Sequence, residues 1–136
     1  MAMPLVKGLL LLNSLVIGSV AAAGLSSEHR IQVNVSLVGD DGLTQSLQVA
    51  LQRHIAASDD LELSSDDSSA FAITSNSNVV SGILGGRRVI IYRAMLLRRG
   101  EMLVDTLGVC FQRDVEKCAI EIVQGFRQVM IAHASD

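Results

Sequence analysis

Aromatic side chains are scarce: the 136 residues include no tryptophan, one tyrosine and three phenylalanines. Phe71, Tyr92, Phe111 and Phe126 leave little surface on which bases or sugars could stack, which argues against recognition through an aromatic platform. Proline occurs once, at Pro4, so collagen-like and proline-rich architectures are excluded. Histidine is limited to His29, His54 and His133, none beside a marked partner, and the chain has no G-x-S-x-G elbow. The sequence therefore displays no nucleophile with an activating base. Basic residues are outnumbered, with 11 Lys plus Arg against 14 Asp plus Glu and a net charge of −3, a poor balance for binding nucleic acid. No cofactor and no metal is expected, and the chain reads as a non-enzyme.

Apolar residues are plentiful. At 49% hydrophobic and 18% charged, the chain can bury a core and falls in the range of one ordinary domain rather than a disordered one. Its first segment has the order of an export signal: Lys7, an apolar run from Gly8 to Val20, then Ala21-Ala22-Ala23 before Gly24. Asn13, Ser14 and Ser19 dilute the run, which falls short of the roughly 20 apolar residues of a spanning helix. The expected division is a signal peptide over 1–23, cleaved near Ala23/Gly24, and a single α/β domain over 24–136, periplasmic or secreted, with no stable membrane anchor after cleavage. No cysteine lies near the cleavage point, so a lipid-anchored form is not expected.

The two cysteines are Cys110 and Cys118. Their spacing matches no usual zinc pattern, and in an exported chain a pair favours a disulfide. The bridge would close a strand-to-helix connection and contribute roughly 2.5 kcal/mol through loop entropy.

Ile31, Val33, Val35 and Leu37 alternate with Gln32, Asn34 and Ser36, the period of a strand with one dry face. Gly39-Asp40-Asp41-Gly42 ends it, and either aspartate can cap a helix starting near Leu43. Leu43, Leu47, Ala50, Leu51, His54 and Ile55 fall on one helical stripe, where His54 reads as a core or boundary residue. Leu61–Leu63 and Ala70–Thr74 read as short strands, and 75–86, rich in Ser, Asn and Gly, as a loop with apolar anchors. Val89–Leu97 and Met102–Phe111 form a β-hairpin around Arg98-Arg99-Gly100-Glu101, the first strand apolar on both faces as a central strand requires. Asp114 is placed to cap a last helix carrying Val115, Cys118, Ala119, Ile122, Phe126, Val129 and Met130 on one stripe. The fold class is α+β (mixed α/β) in the order β-α-β-β-β-β-α: one mixed sheet, two helices packed on it and a long hairpin at 89–111.

Acidic residues cluster at Asp59, Asp60, Glu62, Asp66 and Asp67 without the regular spacing of a calcium loop, so they read as a solvated turn. Asn34-Val35-Ser36 matches a glycosylation acceptor inside a strand. The segment with most chemical promise is Gly85-Gly86-Arg87-Arg88, a flexible backbone beside two guanidinium groups that can hold an acidic group or phosphate. Arg98 and Arg99 repeat the basic character at the hairpin tip, about 30 Å away along the strand.

The element order from Ile31 to His133, above all the hairpin of Val89 to Phe111 followed by the helix from Val115, resembles the small periplasmic domains of the TolB amino-terminal, curli-secretion-channel and penicillin-binding-protein-activator type. That resemblance implies a non-enzymatic protein–protein interaction or accessory module of the bacterial cell envelope, with an envelope protein as partner. Two other readings stand beside it: a small periplasmic ligand-binding protein or enzyme with a site near the 75–88 loop and the first helix, and a secreted inhibitor presenting Arg98 and Arg99.

Overall fold

The computed structural model describes residues 30–66 and 69–135; the segment expected to be a signal peptide, and His29, lie outside them. Nine elements follow one another: β1 (Ile31–Ser36), α1 (Gly42–Ala56), β2 (Leu61–Leu63), β3 (Phe71–Thr74), β4 (Val80–Leu84), β5 (Arg87–Arg98), β6 (Glu101–Phe111), a 3₁₀ turn (Gln112–Asp114) and α2 (Val115–Ala134). They confirm the mixed α+β class, with one strand more than expected.

The extra strand is β4, inside the segment read as a loop. Gly85 and Gly86, with φ of 59° and 75°, make the two-residue turn that folds Val80–Leu84 back on Arg87–Ile91. Positive φ at both central residues is what a tight hairpin needs. Val79, just before β4, is buried, and its amide donates to the Thr44 hydroxyl at 2.9 Å, which ties the segment to α1.

β1 lies between β2 and β3, parallel to both, and β3 runs antiparallel to β5. β5 is the central strand: β3 and β4 share one of its edges end to end, against Met95–Arg98 and Arg87–Ile91, and β6 takes the whole of the other. The β5–β6 turn is Arg99-Gly100, again with both φ positive, at 51° and 84°.

Both helices pack on one face of the sheet and against each other. Leu47, Leu51 and Ile55 of α1 and Ile122, Val123, Phe126 and Met130 of α2 meet Val33, Val35, Phe71, Ile73, Ile90, Ala94 and Leu96 from the strands. Each of these side chains larger than alanine contributes about 1.5–3 kcal/mol by leaving water, so this layer holds the fold. Asp41 caps α1 as expected, accepting from the Thr44 amide at 3.3 Å. Asp114 does not cap α2: its side chain makes no capping hydrogen bond, and the 3₁₀ turn leads the chain into the helix instead. Among the described residues no helix is long and apolar enough to cross a membrane.

Candidate functional site

The pairing of β5 with β6 decides which side chains reach the open face of the sheet, opposite the helices. Leu97 pairs with Met102 and Leu96 with Val104, so Leu103 is an extra residue and forms a β-bulge. Beyond it, Val104, Thr106, Gly108 and Cys110 sit opposite Leu96, Ala94, Tyr92 and Ile90, on the helix side. Asp105, Leu107, Val109 and Phe111 therefore point the other way.

The helix-side residues of β6 are small or reactive for clear reasons. A side chain on Gly108 would collide with the Tyr92 ring, so glycine lets that ring lie across β6. Burial, with the nearby Glu121 carboxylate second, pushes the Tyr92 phenol above its ordinary pKa. Cys110 is joined to Cys118 in a disulfide with 5.9 Å between Cα atoms, which fastens the start of α2 to β6.

On the open face, Val80 of β4, Ile91 of β5 and Val109 of β6 stand in one cross-strand row. Val80 is 57% exposed, Val109 50% and the neighbouring Leu107 74%. Leu84 and Phe111 extend the apolar surface. Arg93 and Asp105 lie beside it as a two-pronged ion pair, with one bond of 2.8 Å from Nε to Oδ1. That contact holds the Asp105 carboxyl below its ordinary pKa, the hydrogen bond being the main cause. The outer edge of β6 pairs with no strand among the described residues, so alternate backbone amides and carbonyls along it have no ladder partner.

At the far end of this surface the arginines converge. Arg87 lies over the Phe111 ring, 4.2 Å from its centroid. A half-open cleft of about 600 Å³ beyond it is lined by Gly86, Arg87, Arg88, Phe111, Gln112 and Arg113. A smaller apolar hollow of about 260 Å³, which shares Phe111 with the cleft, runs between Leu84, Val89 and the disulfide. Among the described residues the side chains of Arg88 and Arg113 make no hydrogen bond or ion pair.

Of the four arginines singled out in the sequence, Arg87 and Arg88 belong to this cleft. Arg98 and Arg99 do not: they sit at the other end of β5, Arg98 within the ladder opposite Phe71 and Glu101, Arg99 in the tight turn. Sequence reasoning missed Arg113 and Phe111, which only strand register brings beside Arg87. The expected alternative site of 75–88 with the first helix is divided: Val79 packs on α1, while Gly86–Arg88 face Phe111–Arg113. In the acidic cluster, Asp60 pairs with Arg127 at 3.1 Å. No three His, Cys, Asp or Glu side chains among the described residues are grouped to hold a metal.

No family model and no curated protein matches the chain. Among solved structures, the chain is similar to a minor lipoprotein from Acinetobacter baumannii, with a TM-score of 0.42, 13% identity, and 69% of this chain and 88% of that one covered.

Proposed function

We propose that this chain is an exported, non-enzymatic protein–protein interaction module of the bacterial cell envelope. The observation that carries the reading is the apolar row of Val80, Ile91 and Val109 on the face that the helices leave open, beside the unpaired edge of β6. Exposed apolar side chains in contiguous rows mark surfaces that partners cover, and an open edge strand offers a backbone to pair with. The Cys110–Cys118 disulfide supports an oxidising compartment, in keeping with the export-type segment read over 1–23. The likeness of element order to periplasmic accessory domains supports the same role.

The test is crosslinking of the tagged full-length protein in its native cells, quantified against an Ile91→Ser/Val109→Ser variant. The expected result is one envelope protein enriched in a reproducible ratio and lost with the variant. Capture unchanged by the variant, or no specific capture across growth conditions, overturns the reading.

A further inference from the structure

The interaction surface carries a chemical preference in the cleft at its far end. Three arginines, Arg87, Arg88 and Arg113, line that cleft, and its lining includes no carboxylate. Arg87 is held in place over Phe111, whereas the side chains of Arg88 and Arg113 make no hydrogen bond or ion pair among the described residues. Three arginines elsewhere on the surface are paired, Arg53 with Glu116, Arg93 with Asp105 and Arg127 with Asp60. Planar forks left unpaired in a concave site suit a carboxylate, which they can grip with two parallel bonds.

Two neighbours narrow the ligand class. The hollow that shares Phe111 is largely apolar, with Asp114, Lys117 and Glu121 on its wall, so it favours an uncharged side chain. The edge of β6 runs past the hollow and ends at Phe111, beside the cleft. From Val104 to Phe111 that edge has no bulge, no proline and no lysine, the features with which proteins usually block strand addition.

We infer that β6 accepts an extended segment of a partner protein as an additional antiparallel strand, whose amino-terminal end places an apolar side chain against Phe111 and a carboxylate among Arg87, Arg88 and Arg113. The inference rests on the interaction reading and adds the partner's chemistry to it. Antiparallel pairing puts the amino-terminal end of the added strand opposite the carboxy-terminal end of β6, where the arginines lie.

The test uses the oxidised full chain and two labelled peptides of alternating threonine and valine with blocked ends, one bearing two glutamates at its amino-terminal end and the other two lysines there. Fluorescence titration should show the glutamate peptide binding about tenfold tighter or more, the worth of a charge-assisted hydrogen bond, with the preference shrinking as salt rises. An Arg88→Ala/Arg113→Ala variant changes only exposed side chains and should erase the preference while keeping its disulfide and circular dichroism. Equal binding of the two peptides, no binding of either, or a preference that survives the double variant overturns the inference. Self-association of the chain through β6, seen in sedimentation and abolished by Val109→Lys, would also overturn it, since a second copy then fills the edge. If native-cell capture depends on Ile91 and Val109 while the peptide preference is absent, the interaction reading stands and this chemistry falls.

Discussion

The two faces of β5 and β6 have similar numbers of apolar side chains but put them to different uses. On the helix side, Ile90, Tyr92, Ala94 and Leu96 are buried under α1 and α2. On the other side, Ile91, Leu107 and Val109 remain exposed. Apolar character alone therefore does not say which residues hold the fold together. Burial does, and burial follows from register. The covered face contributes stability, and the open face keeps apolar surface in water, where it is available to a partner.

The sharpest way to break this contrast is to shift the register beyond the bulge. One alanine inserted between Val104 and Asp105, with the Leu96–Val104 pair kept, would turn Asp105 toward the helices and Cys110 away from Cys118, because a one-residue slip moves every following side chain to the opposite face. The expected cost exceeds about 5 kcal/mol, in the range reserved for buried charge and lost core packing. Intact mass after alkylation would show both thiols free. Next in size, Phe126→Ala on the covered side should cost about 3–5 kcal/mol in chemical denaturation, the usual effect of emptying an aromatic site in a packed core.

Replacing both cysteines with serine tests how much the α2 fastening contributes, and a loss of roughly 2.5 kcal/mol is expected from the loop-entropy relation. On the open side, Val109→Thr should change stability by no more than about 0.5 kcal/mol, the usual range for surface substitutions. A cost near that of Phe126→Ala would show that the open face is structural after all. The smallest effect concerns Tyr92. Because the folded phenol titrates above its unfolded value, its contribution is complete below about pH 10, the ordinary tyrosine value, and is lost as pH rises through the folded value. Tyr92→Phe should remove that alkaline decline from a stability profile while leaving the profile below it unchanged in shape.

Much of the fold is legible in the sequence because it depends on local periodicity. The alternation of Ile31 to Leu37 marks β1, the stripes beginning at Leu43 and Val115 mark the helices, and Arg99-Gly100 between two β-prone runs marks the hairpin. The spacing of Cys110 and Cys118 also carries its pairing, since a strand end and the next helix start are close in any such connection. β4 was hidden by the polar composition around it, although Gly85-Gly86 between Val80–Leu84 and Val89–Leu97 is a hairpin signal in its own right. Asp114 looked like a cap because aspartate before an apolar stripe usually is one, and nothing local announces the 3₁₀ turn that took its place.

The candidate site was half legible. Gly86, Arg87 and Arg88 stand together in the chain, so their proximity needs no fold. Phe111 and Arg113 lie more than twenty residues away, and reach Arg87 only through the β5–β6 ladder. A hairpin zipped without interruption from the Arg98–Glu101 pair would set Phe111 opposite Arg88 and turn Leu107, Val109 and Phe111 toward the helices. The bulge at Leu103 sets Phe111 opposite Val89 instead, and so places its ring on the same side as Arg87.

The sequence by itself determined the helices, the long hairpin, the disulfide pair and a basic turn at Gly85–Arg88, because each is encoded by residues close together along the chain. Only the tertiary structure decided which face of β6 meets the core, that Val80, Ile91 and Val109 form one row, and that Arg113 joins Arg87 and Arg88. Those outcomes depend on one extra residue in a ladder between distant segments. Strand side chains alternate with a period of two, so that single residue exchanges inside for outside over the whole of Val104 to Phe111.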